Sequence, residues 1–287
     1  MEYTLLTLAL VSALIHPLRD LLLKGAAHPT SCYTGVAFCW LVLSFFQSLL
    51  LNQSLIIPLE IWPLVIISAS GLTIYYYGTL SALARGNLSV YYPIVRASPI
   101  AIVIFGWLLF DQTYSLWSLI GILLILLGSF MIQKPSENLL QDPRALTLAI
   151  CALLASAAYA MADALAMQVV QSGPFLFYTY IIVCILLASL SALENRQSRS
   201  PLMSFFLGWQ LKPTRIILAG IVSYFSYLLI LTAFQFGGDA AEISSLRQFS
   251  ILISVILAAK FLKEDRFLHR LGWGGTILAG ITCIAVS

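Results

Sequence analysis

The chain has 287 residues, of which 60 % are hydrophobic and 9 % are charged, and its formal net charge is +3. Because charged residues make up about 25 % of an ordinary soluble domain, this composition excludes a soluble globular protein and indicates a chain embedded in a lipid bilayer. The small net charge gives no reason to expect a nucleic-acid partner.

Charged residues, prolines and glycines divide the sequence into ten apolar segments. A helix needs about 20 residues to cross the hydrocarbon core of a bilayer, and the segments are close to that length. We therefore predict an all-α integral membrane protein with ten spans. The first segment lacks a basic leader and a cleavage site, so we expect it to be retained. The predicted spans are 3–24, 31–51, 58–84, 89–110, 115–133, 145–170, 174–193, 213–236, 240–260 and 268–286.

Lysine and arginine are unevenly distributed among the connections between these segments. The odd-numbered connections carry basic residues, whereas the even-numbered connections and both termini carry none. Positively charged residues stay on the cytoplasmic side of a membrane. The sequence therefore predicts a multi-pass protein of the bacterial inner membrane with both termini outside the cytoplasm.

A stretch of spans 3 and 4 recurs in spans 8 and 9. At one constant shift, Tyr76 aligns with Tyr227 and Arg96 with Arg247. Since each half then has five spans, the second half must insert upside down, which is the inverted-repeat plan of many secondary transporters. We predict a first five-helix repeat over residues 1–136 and a second, inverted repeat over residues 137–287.

Four charged residues lie inside predicted spans, where an ionisable group is costly and marks a functional site by default. Arg96 and Asp20 are expected in the cytoplasmic half of the bilayer, and Arg247 and Asp163 in the outer half. We expect two Asp–Arg sets, one towards each mouth of a central cavity. Guanidinium groups suit carboxylates and phosphates, so both arginines are predicted to bind substrate. A purely structural role, in which each ion pair fastens two helices, remains the alternative.

The two aspartates could also carry a coupling proton or act as gates. A weaker alignment pairs Asp20 with Asp163 and His16 with Tyr159. His16 lies one helical turn from Asp20, which suggests a proton relay, although a structural histidine is the other interpretation. Arg19 is expected to extend to the cytoplasmic interface.

Tyrosines crowd spans 3 and 4 and recur in the second half. Some fit the aromatic belts of a membrane protein, but Tyr76 and Tyr227 lie deep in their spans and are predicted, with Tyr92, to line the cavity. Aromatic rings can also hold a cationic group, so a quaternary amine is an alternative substrate.

Prolines, glycines and cysteines have structural interpretations. Pro93 and Pro99 flank Arg96 and predict a bent helix. Glycines of spans 5 and 10 are expected to allow close helix packing. The five cysteines have no metal-ligand spacing and are expected to be small buried apolar residues. No cofactor or metal is predicted.

The run PIVRASPIAIVIFGWLLFDQTYSLWSLIGILLILLGSFMI and its echo SLRQFSILISVILAAKFLKEDRFLHRLGWGGTILAG resemble the EamA family, the ten-span branch of the drug/metabolite transporter superfamily. The family usually has glutamate after its fourth span, where Asp111 stands here, and Glu264 stands in the second half. The resemblance implies a secondary transporter of small metabolites whose spans 3, 4, 8 and 9 surround a central path. Many relatives place both termini in the cytoplasm, opposite to the charge distribution here.

The expected function is transport of a small polar, zwitterionic or anionic metabolite by alternating access, with protons as an optional coupling ion. A membrane enzyme is not expected, because no nucleophile elbow, metal motif or phosphate loop is present. Besides the quaternary-amine transporter, a flippase for a lipid-linked carrier is the remaining alternative. A flippase would have a groove that opens sideways to lipid.

Overall fold

A computed structural model describes residues 2–23, 28–85, 88–132, 142–195, 203, 207–209, 213–253 and 267–287. Within these ranges the chain forms helices joined by turns and contains no strand. Prolines stand at the first position of several helices, where the missing N–H has no partner to lose. The helices are α1 (Tyr3–Leu23), α2 (Pro29–Leu50), α3 (Trp62–Arg85), α4 (Leu88–Arg96), α5 (Ser98–Phe110), α6 (Leu116–Ile132), α7 (Pro143–Ala166), α8 (Ser172–Glu194), α9 (Pro213–Gln235), α10 (Ala240–Leu246) and α11 (Phe267–Ala285).

Seven segments of the described residues are long and apolar enough to cross a bilayer, and one of them, Pro93–Phe110, joins α5 to the end of α4. The helices of predicted spans 5 and 10 are apolar but shorter, with apolar lengths Leu116–Ile132 and Leu271–Ala285. The last part of predicted span 9, residues 254–260, lies outside the described residues, as does Glu264. The all-helical membrane character of the prediction is therefore confirmed.

The most extensive helix contacts join distant parts of the sequence. They pair α3 with α7, α1 with α9, α2 with α8, and α6 with α11. Small residues allow the close approaches, because a Cβ atom built on Gly121 of α6 would lie 2.7 Å from the carbonyl oxygen of Gly280 in α11. Gly272 and Gly275 are different, since no described atom lies within 4 Å of a Cβ built there. For these two glycines of span 10 the packing interpretation therefore stays a prediction.

Hydrogen bonds between helix ends place the even-numbered connections near one another. The Ser118 hydroxyl at the start of α6 donates to Glu242 Oε1 at the start of α10 over 2.6 Å. The Gln47 side-chain amide near the end of α2 donates to the Ser172 hydroxyl at the start of α8 over 2.9 Å. At the opposite face, Tyr91 of α4 donates to the carbonyl oxygen before α7, that of Asp142, over 3.3 Å. The chain therefore alternates between two faces of the molecule.

Predicted span 4 is interrupted between Arg96 and Ser98, which separates α4 from α5. Pro99 cannot donate to the Val95 carbonyl, and the N–H of Ile100 bonds instead to the Ala97 carbonyl at 3.1 Å. Span 9 has a matching interruption, because α10 ends at Leu246, a turn follows, and helix resumes at 249–253. Each arginine of interest therefore lies at a break in a helix.

Candidate functional site: a central polar and aromatic cavity

A small cavity of about 50 Å³ lies between the two helix breaks. At roughly 10–15 Å³ of such volume for each water molecule, it has room for a few waters. Its walls come from α1, α2, α3, α7, α8 and α9 as well as from both broken spans. This is a wider set of helices than the spans 3, 4, 8 and 9 that the family resemblance implies.

The structure brings most of the predicted site residues to this one cavity. Arg96, Arg247, Tyr76, Tyr227, His16 and Tyr159 all line it. The side chain of Tyr92 lies outside the described residues. Asp20 and Asp163, by contrast, are not among the lining residues, and each touches a residue that is.

Asp20 lies between two arginines on the first side of the cavity. Arg19 Nε and Nη2 donate to its Oδ1 over 2.9 Å and 2.8 Å. Arg96 Nη2 lies 4.0 Å from its Oδ2, and the Asp20 side chain is 40 % exposed. The predicted pair of Arg96 and Asp20 is thus only a long contact, and Arg19 is the closer partner of Asp20.

Arg19 lines the cavity instead of reaching the membrane surface, so the prediction for this residue is wrong. The residue is only 7 % exposed. Its guanidinium carbon lies 5.6 Å from the centre of the Tyr33 ring, and the adjacent carboxylate of Asp20 supplies an opposite charge. These two partners hold the side chain inside, and they are not visible as a pattern in the sequence.

On the second side, the contact between Asp163 and Arg247 passes through Tyr227. The Tyr227 hydroxyl donates to Oδ2 of Asp163, which is 0 % exposed. The guanidinium carbon of Arg247 lies 5.4 Å from the centre of the same tyrosine ring. The expected second Asp–Arg set is therefore relayed by an aromatic ring and is not a direct ion pair.

Trp40 is the centre of the aromatic wall, and sequence reasoning missed it. Its ring stacks on Tyr180 at 4.6 Å between centroids and lies 5.4 Å from the ring of Tyr227. Its indole N–H donates to the Ser223 hydroxyl over 2.9 Å. The available signal was its depth, because Trp40 falls near the middle of predicted span 2, away from the interfacial belts. Tyr180 also approaches Tyr76, with 3.4 Å between their hydroxyl oxygens.

Gln248, at the break in span 9, lines the cavity as well. Its side-chain amide donates to the backbone carbonyl of Arg96 over 2.8 Å, which links the two helix breaks. His16 presents a second buried polar atom, since its Nε2 has no hydrogen-bond partner among the described residues. The cavity therefore combines the guanidinium groups of Arg19, Arg96 and Arg247 with aromatic faces and uncharged polar atoms.

Outside the spans, Asp239 caps the start of α10. Its Oδ1 accepts from the backbone N–H groups of Ala241 and Glu242 over 2.8 Å and 3.1 Å. Burial raises the pKa of Asp239 above its ordinary value, and the charge of Glu242 acts in the same direction, although the two backbone hydrogen bonds oppose it.

Residues 2–133 match the EamA-like transporter family. The first half of the chain is therefore similar to this family, and the resemblance to the drug/metabolite transporter superfamily predicted from the sequence is confirmed for this segment. Members of the family are membrane transporters, which fits the expectation of a transporter and not an enzyme.

The match covers the segment that the repeat analysis assigns to the first half. A protein of known crystal structure has the same fold, with a TM-score of 0.75 and 18 % sequence identity over 100 % of this chain and 98 % of that one. No curated protein matches the sequence. At this identity the structural similarity shows the fold of the chain over its whole length and says nothing of its substrate.

Proposed function

We propose that this protein is a secondary transporter that moves a small zwitterionic or anionic metabolite by alternating access around the central cavity. The observation that carries the proposal is that Arg96 and Arg247, from opposite halves of the chain, line the same cavity. A pair of planar cations facing one space suits a carboxylate or phosphate group. A charged pair in a bilayer is otherwise costly, which favours a role in binding.

The proposed architecture is ten spans in two inverted repeats, residues 1–136 and 137–287. It is supported by the pattern of helix contacts. If spans 1 and 3 correspond to spans 6 and 8, the α1–α9 contact corresponds to the α7–α3 contact, and both are extensive. In the same correspondence spans 2 and 5 match spans 7 and 10, so the α2–α8 and α6–α11 contacts each join a span to its own counterpart. The family match, which ends at residue 133, fits a boundary near residue 136.

The proposed orientation has both termini outside the cytoplasm of a bacterial inner membrane. It follows from the basic residues, since exposed Arg144 and Arg215 lie at helix starts that follow odd-numbered connections. An alkaline phosphatase reporter fused to Ser287 should be active, and a green fluorescent protein fused there should be dark. The reverse pattern would overturn the orientation.

Proton coupling is proposed for Asp163 and Asp20. The support is geometric, because each carboxylate interacts with a side chain that lines the cavity. Asp163→Asn and Asp20→Asn cannot exchange a carboxyl proton, so either should flatten the pH dependence of transport in proteoliposomes. An unchanged pH profile in both variants would end this part of the proposal.

The test of the function itself needs purified protein and a chemically broad panel. Thermal stabilisation by amino acids, amines, organic acids and phosphorylated metabolites would first identify candidates. Counterflow of the radiolabelled compound in proteoliposomes should then show uptake of unmodified material. Recovery of a chemically altered product, or stabilisation without counterflow, would contradict a transporter of this kind.

A quaternary-amine transporter is the second candidate, and the aromatic wall favours it. The rings of Tyr180 and Tyr227 lie 4.6 Å and 5.4 Å from the Trp40 ring at the cavity. Aromatic faces bind cations that have no hydrogen-bond donor. Both arginines argue against it, because they would repel a cation without a carboxylate. Choline in the counterflow panel separates the two candidates.

A further inference from the structure

Gln248 joins the two interrupted spans at the cavity. Because the N–H of Ile100 bonds to the Ala97 carbonyl, the Arg96 carbonyl lacks the bond that a continuous helix would give it. The Gln248 amide nitrogen donates to that carbonyl over 2.8 Å. A carbonyl oxygen accepts only from a donor, so this bond fixes which end of the Gln248 amide is nitrogen.

The other end of the same amide is then a buried acceptor. Gln248 is 4 % exposed and lines the cavity, and its Oε1 has no hydrogen-bond partner among the described residues. A buried polar atom without a partner costs free energy, so natural proteins rarely keep one unless something binds it. This oxygen accepts hydrogen bonds, and an ionised carboxylate has no hydrogen-bond donor. Gln248 Oε1 therefore does not bind the substrate carboxylate in the way proposed for Arg96 and Arg247.

Several of the other lining groups carry donors only or already have a hydrogen-bond partner, whereas His16 Nε2 is a second buried polar atom without a described partner. Arg96 and Arg247 carry donors only. The Tyr227 hydroxyl already donates to Asp163, and the Trp40 N–H already donates to Ser223. The Gln248 oxygen is therefore an uncharged acceptor without a described partner in a cavity that Arg96 and Arg247 also line, which suits a donor that stands beside a carboxylate.

We infer that Gln248 determines substrate specificity by accepting a hydrogen bond from an N–H donor, an ammonium group adjacent to the carboxylate that the arginines bind. The inference rests on the proposed function and narrows its substrate class. It selects zwitterions with at least one N–H over fully methylated ones, which is opposite to the preference of a purely aromatic cage. It also makes Gln248 a link through which the substrate contacts both helix breaks.

The test uses purified full-length protein in nanodiscs and two N-methylation series, one from glycine to trimethylglycine and one from phenylalanine to its trimethyl derivative. Each series keeps the carboxylate and the positive charge while it removes N–H donors one at a time. Wild-type protein should bind the fully methylated member at least roughly tenfold more weakly than the parent, the order expected for losing a hydrogen bond to a charged group. Microscale thermophoresis measures the dissociation constants.

Three variants separate this role from simple packing. Gln248→Met has a similar volume and no acceptor, so the preference for N–H should shrink to within about threefold, whereas a steric penalty on methyl groups would persist. Gln248→Glu keeps acceptor oxygens, so the preference should remain even if the link to Arg96 is lost. Gln168→Met is the matched control, because Gln168 also donates to a backbone carbonyl, that of Phe234, at 2.6 Å, but lies outside the cavity. Its preference should equal that of wild type.

The outcomes are distinct. Equal or tighter binding of the fully methylated compounds by wild type, or an undiminished preference in Gln248→Met, overturns the inference alone. If wild type binds no member of either series, the proposed zwitterion substrate is rejected and the inference falls with it. Gln248→Glu also covers the case in which Gln248→Met fails to fold, since loss of the N–H preference in a folded Gln248→Glu protein would contradict the acceptor role.

Discussion

Arg96 and Arg247 align at one constant shift in the sequence, yet their surroundings differ. Arg96 lies 4.0 Å from an aspartate whose side chain is 40 % exposed. Arg247 lies against the ring of Tyr227, which donates to an aspartate with 0 % exposure. The carboxylate near Arg96 is thus partly exposed, whereas the carboxylate on the Arg247 side is fully buried.

This difference fits the proposed alternating access between two inverted repeats. Under that proposal the two sides of the cavity have different environments in a single structure, and in the opposite state we expect the environments to be exchanged. Asp163 would then become accessible and Asp20 would be enclosed. Variants made on one side at a time test whether the two environments differ in function.

The largest effect is expected from removing either guanidinium. Arg96→Ala and Arg247→Ala should each reduce carboxylate binding and transport by roughly 100-fold or more, as expected when one partner of a desolvated charge pair is lost. Arg→Lys at each position keeps the charge but loses the planar fork, so its loss should be smaller. Counterflow in proteoliposomes measures the effect.

Both alanine variants should remain folded, because the other contacts on each side survive. Asp20 keeps the bonds from Arg19, and Asp163 keeps the bond from Tyr227. A monodisperse profile in size-exclusion chromatography checks this. Wild-type transport by both variants would show that the arginines are structural, and loss in only one would show that the two sides are not equivalent for binding.

A smaller and sharper contrast is expected for the matched tyrosines. Tyr227→Phe removes a hydrogen bond to a buried carboxylate, which should cost about 1.5–3 kcal/mol of unfolding free energy. Tyr76→Phe removes only a 3.4 Å contact between two hydroxyls and should cost less than about 1 kcal/mol. Thermal unfolding of the two variants in the same detergent measures the difference. Equal losses would mean that the two sides do not differ in the way the geometry indicates.

The sequence predicted the helices and most of the arginine and tyrosine positions because duplication marks them. Arg96 and Arg247 are recognisable as charges inside apolar segments, and their constant separation from Tyr76 and Tyr227 relates the two halves. Cavity lining follows from that symmetry without knowledge of any contact. Placing an ionised side chain in lipid costs free energy, so such residues are rare in membrane spans. An arginine inside an apolar segment is therefore a strong indication of a functional site.

Other features could not be predicted, because they depend on contacts between distant helices. Ser250 stands where Pro99 stands in the first half, so nothing in the sequence of span 9 marks a break, yet one is present. The stacking of Trp40 on Tyr180 joins residues that share no periodicity. The relay from Asp163 through Tyr227 likewise requires the packing of α7 near α9. Patterns of spacing describe one helix at a time and contain no information on such partners.

The smallest effect concerns Asp239, which has no acidic counterpart in the first half, where the constant shift places Leu88. Because burial raises the pKa of Asp239, the folded state holds its proton more tightly than the unfolded state does. Its contribution to stability is therefore complete below the ordinary aspartate pKa of about 3.9 and is lost as the pH rises through the raised value. Asparagine caps helices as well as aspartate and has no charge. Asp239→Asn should thus be slightly more stable than wild type at pH 7, and the difference should vanish as the pH falls towards 4. Thermal unfolding measures both.

Asp142→Asn, at the start of α7, is the matched control, since Asp142 accepts from two backbone N–H groups at 2.9 Å and 3.1 Å in the same way. If Asp239→Asn is less stable than wild type at pH 7 while Asp142→Asn is not, the carboxylate is favoured in its charged form, and this end of the second half is stabilised by an ionic contact that the first half lacks.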